Sequence, residues 1–169
     1  MDMEAALMAT IKTEGLDIFT KQLEKLSKEI ANINSMALYD AAGAVADEMG
    51  NALKGLPVRG DEEYGTYKHK LYGATDSEKR QLIGSFGISR FRKGNGTTET
   101  SVGFTGYVET PSTRFNDQVP AAMLMQCIEY GTPFRQGTHT LTAAMKACKS
   151  KAEKAIQERI DKEIEKITE

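Results

Sequence analysis

Few side chains in this chain of 169 residues have the types and spacing that catalysis or metal binding requires. The two histidines, His69 and His139, lie far apart, and neither has a second ligand at a metal-binding spacing. Cys127 has no histidine close in sequence that could activate a catalytic thiol. Residues 61–63 are acidic, but they lie in a polar stretch that would leave them solvated. We therefore predict no catalytic residue, no metal site and no cofactor, and we expect a protein that is not an enzyme.

A modest cluster of basic residues is the feature most suited to contact nucleic acid. Only Phe91 is present within it to stack on a base, and the net charge of −2 gives the chain as a whole no basic surface. A charged hairpin tip is therefore favoured over a DNA-binding module, which is kept as an alternative. The members of the cluster are Lys79, Arg80, Arg90, Arg92 and Lys93.

Glu129 carries a charge where the local structure should oppose it. Residues 119–130 are mostly apolar and are predicted to include a short helix that Gly131 ends, so Glu129 falls in the last turn. The negative end of the helix dipole disfavours a carboxylate at that place. Glu129 should therefore have a compensating partner, which could be Arg114, Arg135 or a residue of a neighbouring subunit. A solvent-exposed residue or an internal salt bridge is the equally open alternative.

Two long helical regions are predicted to position these residues. From Leu16 the apolar residues recur at alternating steps of three and four, and an alanine-rich helical stretch follows over residues 36–54 and ends before Pro57. Either one bent helix or two helices joined near Asn34 and Ser35 would fit. From Thr140 a single apolar stripe on a heavily charged background predicts a long C-terminal helix.

Between the helical regions the apolar pattern changes to a period of two. The turn Gly94-Asn95-Gly96 lies at its centre, which predicts a β-hairpin of about residues 82–92 and 97–108. Residues 57–75 have no periodicity and are predicted to form a mobile surface loop. Thr75 and Glu78 then have the spacing of a capping box, which predicts a short helical turn.

These elements together predict an α+β fold. Its small antiparallel sheet, made of the central β-hairpin and a further strand, is expected to pack against the long N-terminal helical region and the long C-terminal helix. The length favours one domain, residues 14–169, after a flexible N-terminal extension of residues 1–13 that lacks the basic start of a signal peptide. Cys127 and Cys148 are expected to be buried free thiols, and no apolar run is long enough to span a membrane.

Several short motifs occur along the chain in an order that resembles the gene-product-ten-like tail component family of long-tailed phages and prophages. The resemblance covers residues 14–169, and residues 57–75 stand where the family has a compact turn. The motifs are Gly15-Leu16-Asp17, Leu56-Pro57, Leu82-Ile83-Gly84-Ser85-Phe86 and Glu129-Tyr130-Gly131-Thr132, the last followed directly by Pro133-Phe134.

The resemblance implies a structural protein that completes the tail or joins head to tail, with a tail terminator ring as the alternative. It implies self-association into a ring that docks to connector, neck and tail-tube proteins, with DNA only passing through the channel and no membrane contact. The implied location is the virion neck or tail, after assembly in the host cytoplasm. The residues expected at subunit contacts are Glu129, Tyr130, Gly131, Thr132, Phe134, Arg135, Arg90 and Arg92.

Overall fold

The computed structural model describes residues 16–60, 65–94, 97–112 and 114–168. The predicted extension at residues 1–13 and the acidic residues 61–63 therefore lie outside the described residues. The helices within these ranges are α1 (Leu16–Lys54), α2 (Asp76–Ser85), α3 (Ala121–Tyr130) and α4 (Thr140–Thr168). The strands are β1 (Val58–Arg59), β2 (Leu71–Tyr72), β3 (Ala74–Thr75), β4 (Phe86–Ile88), β5 (Arg92–Gly94), β6 (Thr97–Glu99), β7 (Val102–Phe104), β8 (Tyr107–Glu109), β9 (Gln118–Pro120) and β10 (Arg135–Gln136).

The N-terminal helical region is one continuous helix, α1, of 39 residues. The polar residues near its middle do not interrupt it, and the Ser35 hydroxyl donates to the carbonyl oxygen of Ala31 at 2.8 Å within the same helix. Helix α4 runs antiparallel along α1. Arg159 pairs with Asp40 at 2.6 Å near the middle of the two helices, and the Gln22 side chain donates to the Thr168 carbonyl at 3.1 Å near their far ends.

The hydrophobic core lies where the C-terminal half of α1 meets α2, α3 and the first turns of α4. Helix α3 contributes most of one side of this core and is buried along its whole apolar face. The removal of these apolar side chains from water is the main interaction that holds the helices together. The core residues are Met49, Leu53, Leu56, Ala74, Leu82, Val108, Val119, Ala121, Leu124, Met125, Ile128, Leu141 and Cys148.

The predicted hairpin is present but begins later than expected. Residues 82–85 belong to α2 because the Thr75–Glu78 capping box, which is confirmed, starts a helix that continues to Ser85. Strand β4 then pairs with β7, and β5 pairs with β6, both antiparallel. The rings of Phe86 and Phe104 lie 5.2 Å apart on the side of the hairpin that packs on the core.

The α+β class is confirmed, although the strands form five separate two-stranded ladders in the described ranges and not one small sheet. Strands β8 and β9 are antiparallel, whereas β1 pairs with β3 and β2 pairs with β10 in parallel. The described part of residues 57–75 is thus not a loop without regular structure. Strand β1 pairs with β3 at the other end of the same stretch, and β2 pairs with β10 far along the chain. Strands of two residues are too short to show a periodic pattern.

Candidate functional site

The turn between α3 and α4 contains most of the residues expected at subunit contacts. Helix α3 ends where the Gly131 N–H donates to the Cys127 carbonyl at 3.0 Å. Gly131 has a φ of +86°, and a Cβ atom there would lie 2.8 Å from the Arg135 carbonyl oxygen. Glycine is therefore required both by the backbone conformation and by the close approach of the returning chain. The predicted role of Gly131 in ending the helix is confirmed.

Glu129 does have a compensating partner, but this partner is neither Arg114 nor Arg135, so the prediction of an arginine partner was wrong. The side chain is 3% exposed, and its carboxylate accepts from the backbone N–H groups of Leu141 at 3.0 Å and Thr142 at 2.6 Å. These N–H groups belong to the first turn of α4, which the carboxylate therefore caps. The N-terminal end of the α4 dipole compensates the charge that the C-terminal end of α3 disfavours.

The contacts of Glu129 keep it ionised despite its burial. Burial by itself would raise the pKa of this carboxyl, but the hydrogen bonds from Thr142 and Leu141 and the nearby His139 outweigh it and lower the pKa below the ordinary value. Two backbone bonds complete the junction, from the Thr138 N–H to the Ile128 carbonyl and from the His139 N–H to the Glu129 carbonyl. The position of α4 relative to α3 is thus fixed by the residues around Glu129.

Arg135 turns inward from the same segment and forms a buried ion pair with Glu78. Its guanidinium lies 3.4 Å from the Glu78 carboxylate and also donates to the Gly73 carbonyl at 3.0 Å. The Glu78 carboxylate is further held by Arg59 at 3.8 Å, by the Thr75 N–H at 2.9 Å and by the Thr110 hydroxyl at 2.8 Å. Arg135 therefore ties the turn after α3 to the start of α2.

The ion pair determines the charge state of Glu78. Burial alone would raise the pKa of its carboxyl, because the side chain is only 3% exposed. Arg135, the hydrogen bonds from Thr75 and Thr110, and Arg59 together hold the pKa below its ordinary value. The three charged side chains thus form one buried polar cluster that fixes the base of the turn.

Tyr130 and Phe134, in contrast, face outward from this rigid base. Tyr130 is 63% exposed and Phe134 is 45% exposed. The ring of Phe134 lies 4.8 Å from the ring of Tyr67, which is itself 74% exposed. The ring of Tyr130 lies 6.5 Å from the ring of His139 and is not paired with the other two. We call the pair Tyr67 and Phe134, together with Tyr130 on the same turn as Phe134, the aromatic face. Large aromatic side chains that remain exposed on an ordered support are typical of protein-binding surfaces.

A shallow cleft of about 510 Å³ lies beside the aromatic face. Among the residues that the structure describes, no acidic side chain lines it, and Lys70 gives it a positive charge. Sequence reasoning missed Lys70 and Tyr67, because both come from the stretch that was predicted to be a loop. The pairing of β2 with β10 brings this stretch against the turn, and no local pattern indicates that pairing. The lining residues are Lys70, Tyr130, Gly131, Thr132, Pro133, Arg135, Gln136 and Gly137.

Arg90 and Arg92 are exposed on the hairpin, on a different element from the aromatic face. Phe91, between them, packs against Tyr39 of α1 with ring centres 6.0 Å apart. Two other members of the predicted basic cluster are engaged elsewhere. Lys79 donates to the Leu56 carbonyl at 2.9 Å, and Arg80 pairs with Asp76 at 3.2 Å. Because Lys79 and Arg80 make these contacts, fewer basic side chains of the cluster are left to face a phosphate backbone.

The remaining candidates for chemistry do not combine into a site. Among the residues that the structure describes, no group of three or more His, Cys, Asp or Glu side chains could hold a metal ion. Cys148 is buried, Cys127 is half-buried, and both are free thiols. Burial raises the pKa of the Cys148 thiol, with a further contribution from Glu48, so the thiolate is disfavoured. No helix in the described part of the chain is long and apolar enough to cross a membrane.

Comparison with known proteins adds no family to this description. A scan against protein-family models, a search of curated proteins and a search of solved structures each found no match to this chain.

Proposed function

We propose that this protein is a structural assembly protein of a long-tailed phage or prophage, which acts at the head–tail junction or the upper tail. The observation that supports the proposal most is the aromatic face on the Glu129-Tyr130-Gly131-Thr132 turn, the motif on which the family resemblance rests. In this turn Glu129 and Gly131 hold the backbone, and Tyr130 is exposed. A signature that combines a rigid support with an exposed aromatic residue suits a docking surface.

In this role the protein self-associates into a ring around the channel and docks to connector, neck and tail-tube proteins. The aromatic face and its cleft serve as a contact with a neighbouring subunit or with one of these partners. Exposed tyrosine and phenylalanine side chains give large contact areas with little loss of conformational entropy, which makes them frequent energetic centres of interfaces. A tail terminator ring would use the same kind of contact and differs in its place on the particle.

The role is tested by removing the gene from the phage or prophage and examining the particles by electron microscopy. We expect filled heads and tails that fail to join, or tails that lack their upper end, with recovery when the gene is supplied in trans. Tails of normal form attached to heads in the absence of the gene would contradict the assembly role. Labelling of the supplied protein on the particle separates a neck position from that of a tail terminator.

The same complementation assay tests the aromatic face directly. We expect the double variant Tyr67→Ala and Phe134→Ala to fold normally but to restore joined particles at least about tenfold less well, because two anchors of the interface are lost. Tyr107→Ala is the matched control, since Tyr107 is 68% exposed on β8 and lies outside the aromatic face. Equal complementation by the double variant and the wild type would exclude the face as a docking surface.

The DNA-binding alternative predicts binding that weakens steeply as salt increases and that falls when Arg90 and Arg92 are neutralised. We expect no such binding at physiological salt, because the net charge is −2 and Lys79 donates to a backbone carbonyl within the protein, while Arg80 is paired with Asp76 on the surface.

A further inference from the structure

The N-terminal half of α1 exposes part of the apolar stripe that its sequence pattern predicts. Phe19 is 57% exposed, Leu23 is 48% exposed and Ile30 is 52% exposed. At about 100° per residue these three side chains project within roughly 40° of one another, whereas Lys21 and Lys25 lie on the far side of the helix. The exposed residues thus form a continuous apolar strip.

This strip leads into an apolar groove between α1 and α4. The groove has a volume of about 460 Å³, and none of the described residues that line it is charged. On α4, Ile164 lies one turn beyond the groove and is 39% exposed, which extends the apolar surface toward the end of that helix. The lining residues are Ile30, Ala31, Asn34, Ala37, Leu38, Thr98, Ile156 and Ile160. We call the strip and the groove together the α1–α4 face.

We propose that two copies of this chain associate through the α1–α4 face, with α1 of each copy lying in the groove of the other. The four helices then form an antiparallel bundle in which the exposed strip becomes the core. Alternating steps of three and four residues from Phe19 to Ile33 are the spacing that helices packed side by side in such bundles use.

The size of the face fits a second copy better than a single added helix. From Phe19 to Leu38 the strip and groove extend about 29 Å at 1.5 Å per residue, and two packed helices are about 20 Å wide. The flat footprint is therefore about 600 Å², and the ridged side chains add to it, which approaches the roughly 800 Å² per partner of a stable interface. A lone helix would cover only about half of this width.

The charge pattern also suits a second copy. In a two-fold symmetric interface each patch faces the same patch of the partner. A charged side chain near the axis would therefore lie close to the same charged side chain of the partner and be repelled by it. The described part of the groove lining avoids this repulsion because it contains no charged side chain. None of the residues of the aromatic face takes part, so the inference does not depend on the proposed assembly role.

Sedimentation velocity of the full chain over about 1 µM to 1 mM, a range that covers weak and moderate affinities, tests the proposal. We expect a monomer–dimer equilibrium that Leu23→Glu weakens by about 100-fold or more, because the symmetry buries the new charge twice. Ile18→Glu is the matched control and should leave the equilibrium unchanged. Ile18 is 66% exposed on the same helix but projects away from the groove.

Both substituted positions are exposed in the single chain, so both variants should fold, which circular dichroism verifies. A chain that stays monomeric over the whole range would overturn the proposal. Equal weakening by Ile18→Glu and Leu23→Glu would also overturn it. A larger assembly that Leu23→Glu leaves intact would overturn the dimer while leaving the ring of the proposed function standing.

Discussion

Glu78→Gln is expected to lower the free energy of unfolding by roughly 3–5 kcal/mol, the cost of removing one partner from a buried ion pair. The substitution keeps the shape of the side chain but removes the charge that Arg135 and Arg59 approach at 3.4 and 3.8 Å. Both guanidinium groups would then remain largely buried near a neutral amide. The loss is large compared with the roughly 5–15 kcal/mol that stabilises a typical domain.

Urea denaturation measures this effect, with the expectation of a lower midpoint and an unchanged slope. Glu109→Gln is the matched control. Glu109 and Glu78 both line a cavity beside Arg59 and Arg135. Glu109 is exposed, however, and makes no ion pair to the two arginines among the described contacts. Its substitution should change the free energy of unfolding by less than about 0.5 kcal/mol. Equal midpoints for Glu78→Gln and the control would show that the ion pair does not stabilise the fold.

Glu129→Gln is expected to cost about 2–3 kcal/mol and to loosen the start of α4. The amide can accept fewer of the hydrogen bonds that the carboxylate accepts from the Leu141 and Thr142 N–H groups. The amide is also neutral, so the favourable interaction of the carboxylate with the N-terminal end of the α4 dipole is lost. Hydrogen exchange should therefore speed up at these two amides before the rest of α4. Glu153→Gln, in an exposed pair with Lys149, should leave both the exchange rates and the unfolding midpoint unchanged.

The advantage of the wild type over Glu129→Gln should also disappear in acid. The pKa of Glu129 in the folded protein lies below its ordinary value of 4.5, so between these two values the unfolded chain binds more protons than the folded one. The stability that this carboxylate contributes is therefore complete above about pH 4.5 and is lost as the pH falls through the folded pKa. A difference between the two proteins that persists unchanged to pH 3 would contradict this account.

The local features of this chain could be predicted because each depends on residues a few positions apart. Thr75 and Glu78 form the capping box that their spacing indicates, and Gly131 ends α3 with a positive φ. The antiparallel pairing around residues 86–104 follows from an alternation within the hairpin itself. The α+β class is the sum of such local patterns and was therefore accessible from the sequence.

The partners of buried charges could not be predicted in the same way. The Glu129 carboxylate contacts N–H groups that are 12 and 13 residues away, and it does so only after α3 and α4 have docked. Arg135 was a candidate partner of Glu129, but its guanidinium reaches Glu78, 57 residues earlier. Backbone N–H groups have no sequence signature, so a carboxylate that caps a distant helix cannot be distinguished from one that needs a basic side chain.

By itself, the sequence determined which segments become helices and which of their faces are apolar, because the period of the apolar residues and the capping residues act locally. It also indicated where α1 and α3 end, but not that α2 continues to Ser85. Only the tertiary structure decided which apolar faces are covered. Helix α4 lies along one side of α1, so Ile33 is buried at 4% exposure while Leu23, on the same predicted stripe, is 48% exposed. Burial depends on the position and width of the covering element, and a pattern within one helix contains no information on either.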